Sequence, residues 1–408
     1  MTHRLLRAAQ VITATGADPI PEGAVRVQDG KIAEVGPAAA LDPGDAEVID
    51  LGAGTLLPGL VECHEHLNGH GYYAIGDYTS VEPDALFALL AGYHAGRLID
   101  IGVTTARMVG APGNIDLLVR RAIAEGFVDG PRLICAGQPI CMTGGHGAAH
   151  CTEVDGPWEA TKAARKLVKS GVDLIKVMAS GGVGITREGE EPSQPQLTEE
   201  EMRAVCDVAH WAGIRVAAHA DGPIGIGNAI RAGVDTIEHG IYMTAEQAHE
   251  MAERGTMLVP TLSTMHGIHD HGISYGMPAD WIPIAAAVLE PHRQSFQHAL
   301  DAGVLYGPGT DGFGDIVDEL KLFTTYGISA LRAIEAGTRD AATIVSASPD
   351  FGTLQPGKAA DIIAVEGDPL QDLEVLRAVR LVMTGGTIRR QGSAPRRPTE
   401  PAPWTLER

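Results

Sequence analysis

Cys63-His64-Glu65-His66 ends the apolar run LPGLVECHEH, and histidines at i and i+2 of a strand project from one face. Two neutral imidazoles so placed can share a divalent ion at about 2 Å, the ordinary beginning of a zinc site. Four more polar residues interrupt or end apolar runs: Lys176 in LIKVMAS, His219 in VAAHAD, His239 in TIEHG and Asp311 in GPGTDG. Singly, either later histidine reads as a hydrogen-bonded strand end and Asp311 as a helix cap. Lys176 is harder to accommodate, because a lysine inside a buried strand must be paired, lose its charge or reach solvent. Together, at strand tips on one face, these residues point to a metal site.

The elements that must position them repeat along the chain. A helix-like stretch, a glycine and a short apolar run recur in IDIGVTTARMV, KSGVDLIKVMA, HWAGIRVAAHA, RAGVDTIEHG, ERGTMLVPTL and DAGVLYGPGTD. Each glycine suits a helix C-terminus and each apolar run a buried parallel strand. With LPGLVEC and PRLICAGQ the count reaches eight, which implies an α/β fold of the (β/α)₈ TIM-barrel class over residues 57–349. Long connections at Leu67–Val81, Gln138–Gly156, Ser180–Leu197 and Ser263–Pro283 would build the active face. Residues 1–56 and 350–395 alternate short apolar runs with turns, as antiparallel strands do, and are expected to form one small β-sandwich domain from both termini. Residues 396–408 read as a tail.

Composition narrows the partners. In 408 residues, 31 basic against 52 acidic side chains give a formal charge of −21, which argues against nucleic acid or an anionic membrane as partner and leaves small molecules. That charge is compatible with assembly into a homo-oligomer. The absence of a long apolar run or a signal-like N-terminus, and five cysteines without CxxC spacing, suit a cytoplasmic protein with free thiols.

LPGLVECHEH, LIKVMASGG, VAAHA, TIEHG and GTDG, with PGKAADIIAV near the C-terminus, resemble the amidohydrolase superfamily, in particular its imidazolonepropionase-related dipeptidase and carboxypeptidase branch. The resemblance spans Leu5 to about Gly392. It implies a carboxylated Lys176 bridging two divalent metals, usually zinc. His64, His66, Lys176 and Asp311 would hold one ion, and Lys176, His219 and His239 the other. It further implies attack by a metal-bridging hydroxide on an amide or peptide bond, with Asp311 moving the proton from nucleophile to leaving amine. His146 in MTGGHGAAH, flanked by glycines that admit close backbone approach, reads either as an added electrophile and substrate contact or as a brace for its loop; the branch has a comparable GGHG.

Tyr73, Arg187 and Tyr242 are further substrate-binding candidates, on loops of the active face. Asp221 stands where related dipeptidases carry Tyr or His, and a carboxylate there would repel a substrate carboxylate and attract a cation or hydrogen-bond donor. Dipeptides or N-acyl amino acids are the leading substrates, with a cyclic amide, carbamate or lactone as the alternative. A mononuclear deaminase would need Glu where Gly222 stands, and a non-catalytic scaffold would have lost its ligands.

Overall fold

The computed structural model describes residues 3–67, 83–184, 189–274, 277–346 and 349–392. Five strands come first: β1 (His3–Val11), β2 (Ile20–Gln28), β3 (Lys31–Pro37), β4 (Glu47–Asp50) and β5 (Thr55–Pro58). The middle of the chain alternates strands with helices: β6 (Leu60–Glu65), β7 (Val103–Met108), β8 (Arg132–Cys135), β9 (Ile140–Cys141), β10 (Thr152–Glu153), β11 (Leu174–Met178), β12 (Arg215–Ala220), β13 (Thr236–His239) and β14 (Met257–Val259). Three strands close the sequence: β15 (Ile362–Val365), β16 (Val379–Thr384) and β17 (Thr387–Gln391).

Both ends of the chain meet in one sheet, ordered β17-β16-β15-β5-β1-β2-β3, with β4 also on β1. Its hairpins follow from two-residue turns that require positive φ: Asp29-Gly30 (51° and 79°) joins β2 to β3, and Gly385-Gly386 (52° and 76°) joins β16 to β17. The sheet is mixed rather than wholly antiparallel, since β4 and β5 both run parallel to β1. The chain reaches them by crossing back through residues 38–46 and 51–54 instead of turning tightly, which sets their direction. Leu6, Val25, Ile362 and Leu381 pack on one another, whereas Leu57, Ile363 and Val382 join the large core of the central region.

The central strands pair in parallel, β6-β7-β8 in one sheet and β10-β9-β11-β12-β13-β14 in the other. Seven of the expected apolar runs are regular strands; the eighth, around Tyr306, makes a single parallel bridge to Leu258. Its Gly307-Pro308-Gly309 explains this. Pro308 has no N–H to donate, and a Cβ on Gly309 would lie 2.6 Å from both His64 Cβ and Val259 Cγ1. The segment still bonds to the neighbouring strand through Cys63 N–H to Pro308 O (2.9 Å) and Asp311 N–H to His64 O (2.8 Å).

One connection differs from its sequence reading. Residues expected as a loop after β14 contain the helix Leu262–His271, packed on the long helix Trp281–Ala302. Its Ser, Thr, His and Gly content hides it, but Glu319 Oε1 and Oε2 accept the N–H groups of Leu262 (2.9 Å) and Ser263 (2.6 Å) that a helix start leaves open.

Candidate metal centre

The strand tips converge. His64 lies near the end of β6 and His66 just past it, Lys176 lies in β11, His219 in β12 and His239 closes β13, and all of them with Asp311 line one cavity of about 380 Å³. Asp311 Oδ1 lies 3.3 Å from His64 Nε2 and 3.1 Å from His66 Nε2. The His239 ring is 4.8 Å from both the His64 and the His219 rings, centre to centre.

Each imidazole is oriented through its other nitrogen. His64 Nδ1 donates to Glu238 Oε2 (2.8 Å), His66 Nδ1 to Gly110 O (2.8 Å), and His239 Nδ1 meets Thr261 Oγ1 (2.7 Å). His219 is held the other way round, by Nε2 donating to Gly181 O (2.9 Å). Three Nε2 atoms and one Nδ1 are thereby turned inward, where neutral rings would offer lone pairs to a cation, while against burial the Asp311 contact raises the His66 pKa. Burial, reinforced by neighbouring imidazoles or ammonium, pushes His219 and His239 well below their ordinary pKa, so both are neutral at pH 7. Asp311 moves the other way: against the burial penalty, His64 and His66 hold its carboxyl well below the usual range.

Lys176 is only 2% exposed. Among the described residues it has neither a hydrogen bond nor an ion pair within 4 Å. Burial lowers its pKa to about 8, with Glu238 and Asp311 resisting. A four-imidazole, one-carboxylate set around a readily deprotonated amine fits divalent cations, and His64, His239 and Asp311 alone offer ligand atoms within 4.8 Å of one another.

Backbone strain gathers here as well. His239 (φ 67°), Asp311 (φ 52°), Thr261 (φ 51°) and Leu67 (φ 55°) all occupy the left-handed region, a cost of about 1–3 kcal/mol each for such residues. The turns are braced by buried acids. Glu62 Oε1 accepts from His64 N–H (2.9 Å) and Thr310 N–H (3.1 Å), and Glu65 Oε1 from His66 N–H (2.8 Å) and Leu67 N–H (2.9 Å).

His146 also lines the cavity, stacked on His219 at 4.4 Å and 12°. Its Nδ1 donates to Glu190 Oε1 (2.8 Å), its N–H to Gln196 Oε1 (2.8 Å), and a Cβ on Gly182 would come within 2.5 Å of the ring. Asp221 lines the cavity too, 3.7 Å from His219, with Oδ1 buried and lacking a hydrogen-bond partner. Tyr242 does not: its N–H donates to Asp221 O (2.9 Å), and its half-buried side chain packs beside the neighbouring apolar cluster instead. Tyr73 and Arg187 lie outside the described residues.

Sequence reading missed the supports, Arg107 and Glu238 above all. The Arg107 guanidinium donates to both Glu238 oxygens (2.7 and 2.8 Å), to Thr236 Oγ1 (3.0 Å) and to Cys63 O (2.5 Å), fixing the carboxylate that orients His64. The signal was available, because Arg107 in TTARMV, Glu62 in LVECHEH and Glu238 in TIEHG interrupt apolar runs just as Lys176 does.

Residues 55–389 match the profile of the Amidohydrolase family. The chain belongs to that family. This amidohydrolase is 32% identical over 368 residues to the ochratoxinase of Aspergillus niger, covering 82% of the chain and 75% of the relative. A crystal structure of a Xaa-Pro dipeptidase with bound methionine superposes with a TM-score of 0.85 at 31% identity, over 95% of this chain and all of that one (100%). A prolidase complexed with N-methylphosphonate-L-proline gives 0.86 at 29% identity, over 96% of this chain and 100% of its own. As a family member the chain is a hydrolase of carbon–nitrogen amide bonds, in a family that is typically metal-dependent. Among the described residues, no helix is long and apolar enough to cross a membrane.

Proposed function

We propose that the chain is a binuclear metal-dependent amidohydrolase that cleaves an amide or peptide bond in a small molecule, a dipeptide or an N-acyl amino acid. Lys176 carries the reading. An amine buried without a partner and titrating near 8 is available in the neutral form that captures CO₂, and the resulting carbamate offers two anionic oxygens. His64, His66, Lys176 and Asp311 would hold one ion and Lys176, His219 and His239 a second, with Zn²⁺ the cation that best suits nitrogen-rich donors. Bound there, two divalent cations supply Lewis acidity, polarising a carbonyl and acidifying water.

The chain's own residues do the rest. Asp311, anionic and held between His64 and His66, accepts the proton of the nucleophile and returns it to the leaving nitrogen. His146, with Nδ1–H donated to Glu190, would donate a hydrogen bond from Nε2–H to the substrate carbonyl oxygen in its doubly protonated form, which a carboxylate partner favours. Asp221 lines the cavity beside His219, and burial pushes its carboxyl pKa well above the usual range. The relatives that act on prolyl dipeptides support an amide or peptide substrate.

The same reading extends to architecture. The parallel strands close into a (β/α)₈ barrel over residues 57–349, supported by the bonds that join the Tyr306 segment to β14 (Leu258 N–H to Leu305 O, 2.9 Å) and to β6 (Cys63 N–H to Pro308 O, 2.9 Å). Residues 1–56 and 350–395 form the second domain, its sheet folded over its own apolar cluster as a sandwich.

Metal analysis of protein grown with zinc and bicarbonate tests the proposal. Two ions per chain are expected, with hydrolysis somewhere in a panel of dipeptides and N-acyl amino acids. One ion, or none with activity intact, excludes the binuclear mechanism.

A further inference from the structure

The cavity lining is of two unlike kinds. Besides the ligating side chains it is lined by Met265 and Ile268 from the helix Leu262–His271, Trp281 at the start of the helix Trp281–Ala302, and Val183 and Phe313 from adjoining loops. These five belong to one buried apolar cluster separate from the main core. At about 380 Å³ the space is within the range of sites that enclose drug-sized molecules. Trp281 supplies a flat face: its ring passes over Gly184, where a Cβ would lie 3.3 Å from the indole, so a larger residue there would press on it.

Charged side chains are few among the described lining residues. Among the described lining residues Lys176 is the one amine or guanidinium, and the one carboxyl besides Asp311 is Asp221. Among the described residues these apolar side chains have no cation beside them, so they stabilise a ligand through buried area, and a single methylene in such a pocket alters binding about 10–200-fold.

We infer that the substrate bears a bulky, uncharged, apolar group, aromatic by preference, on one side of the scissile amide, seated on Met265, Ile268, Trp281 and Phe313. The inference rests on the amide-hydrolase reading of the ligand cluster and narrows it from small amides to hydrophobic ones. Trp281 stacks on a planar group, and the two helices of the hairpin set the depth of the subsite.

Calorimetric titration of the zinc-loaded full chain with 2-naphthamide and with acetamide separates the subsite from the chemistry. Naphthamide should bind more than about tenfold tighter, with a negative heat-capacity change, and Trp281→Ala should remove most of that preference. Because Trp281 also packs within its cluster, Met265→Ser serves as a second variant, with a several-fold loss expected at unchanged metal content. Equal affinity for the two amides, no binding of either, or unchanged naphthamide affinity in both variants would overturn the subsite. A parallel series of N-acetyl amino acids should show kcat/KM rising from glycine to phenylalanine, and measurable hydrolysis at an equal rate across the series would equally overturn it. Naphthamide binding with no hydrolysis of any substrate would leave the subsite standing and remove the amide-hydrolase reading.

Discussion

The terminal sheet and the tips of the parallel strands are buried to a similar degree and hold different residues. Between β1, β2, β15 and β16 the interior is Leu6, Val25, Ile362 and Leu381, all fully buried (0% exposed), while pairs such as Arg4–Glu47 and Arg26–Glu34 stay at the surface. At the tips of β6, β7, β11, β12 and β13 equal burial encloses Glu62, His64, Arg107, Lys176, His219, Glu238 and His239. The first arrangement stabilises by removing apolar area from water, about 25 cal/mol per Å². The second works against stability, through desolvated charge and left-handed backbone at His239 and Asp311. Stability and chemistry are therefore carried by separate parts of the chain.

The largest test of that division is Lys176→Met. Loss of the bridging group should lower kcat by about 10³-fold or more, as several kcal/mol of Lewis-acid stabilisation is forfeited. Metal-free protein should be no less stable in urea, because an unpartnered buried amine is replaced by an apolar chain of similar length. Retained hydrolysis refutes the role, and a large loss of stability would mean the lysine is structural. Leu381→Ala is the opposite case: about 2–5 kcal/mol of stability should go, with kcat per folded molecule and metal content unchanged. If this substitution emptied the metal site, the two regions would not be independent.

The same contrast governs what was legible in the sequence. Strands announce themselves by apolar runs, so β6, β7, β8, β11, β12, β13 and β14 were readable, and the six ligand candidates stood out as polar residues within or just after apolar runs, Asp311 after the eighth run, which is not a regular strand. Parallel pairing of β4 and β5 with β1 was not, because strand direction depends on where a crossover travels rather than on local pattern. The helix Leu262–His271 escaped notice because its capping acid, Glu319, lies more than fifty positions away. Glu190 is likewise 44 positions from His146, and only folding brings the pair together.

Glu319 sharpens the comparison, as a buried acid of the central region with a structural task. Burial raises its pKa to about 7 from an ordinary 4.5, although Leu262 and Ser263 N–H groups favour the anion. The folded chain then binds more protons than the unfolded one between those values, so this residue's contribution to stability falls as pH rises from about 4.5 to 7 and is level above. The full effect is up to about 3 kcal/mol. Glu319→Gln should flatten that slope in urea unfolding of metal-free protein between pH 5 and 7.5. A slope unchanged in the variant would assign the pH dependence elsewhere.

Glu190→Gln should produce the smallest effect and the most local. Glutamine keeps the length of the side chain and can still accept from His146 Nδ1–H, but it lacks the negative charge that favours that tautomer and supports positive charge on the ring. A fall in kcat of about tenfold is expected, comparable to the loss of an outer partner of a ligand, with KM and metal content unchanged. Nitrogen NMR of labelled histidine should report a larger share of the other His146 tautomer. In a His146→Asn background the same substitution should cost nothing more, since a positioning residue has no effect once its client is gone. Full additivity of the two losses would instead make Glu190 a brace for the 189–198 segment, and chemistry at this edge of the cavity would then owe nothing to the carboxylate.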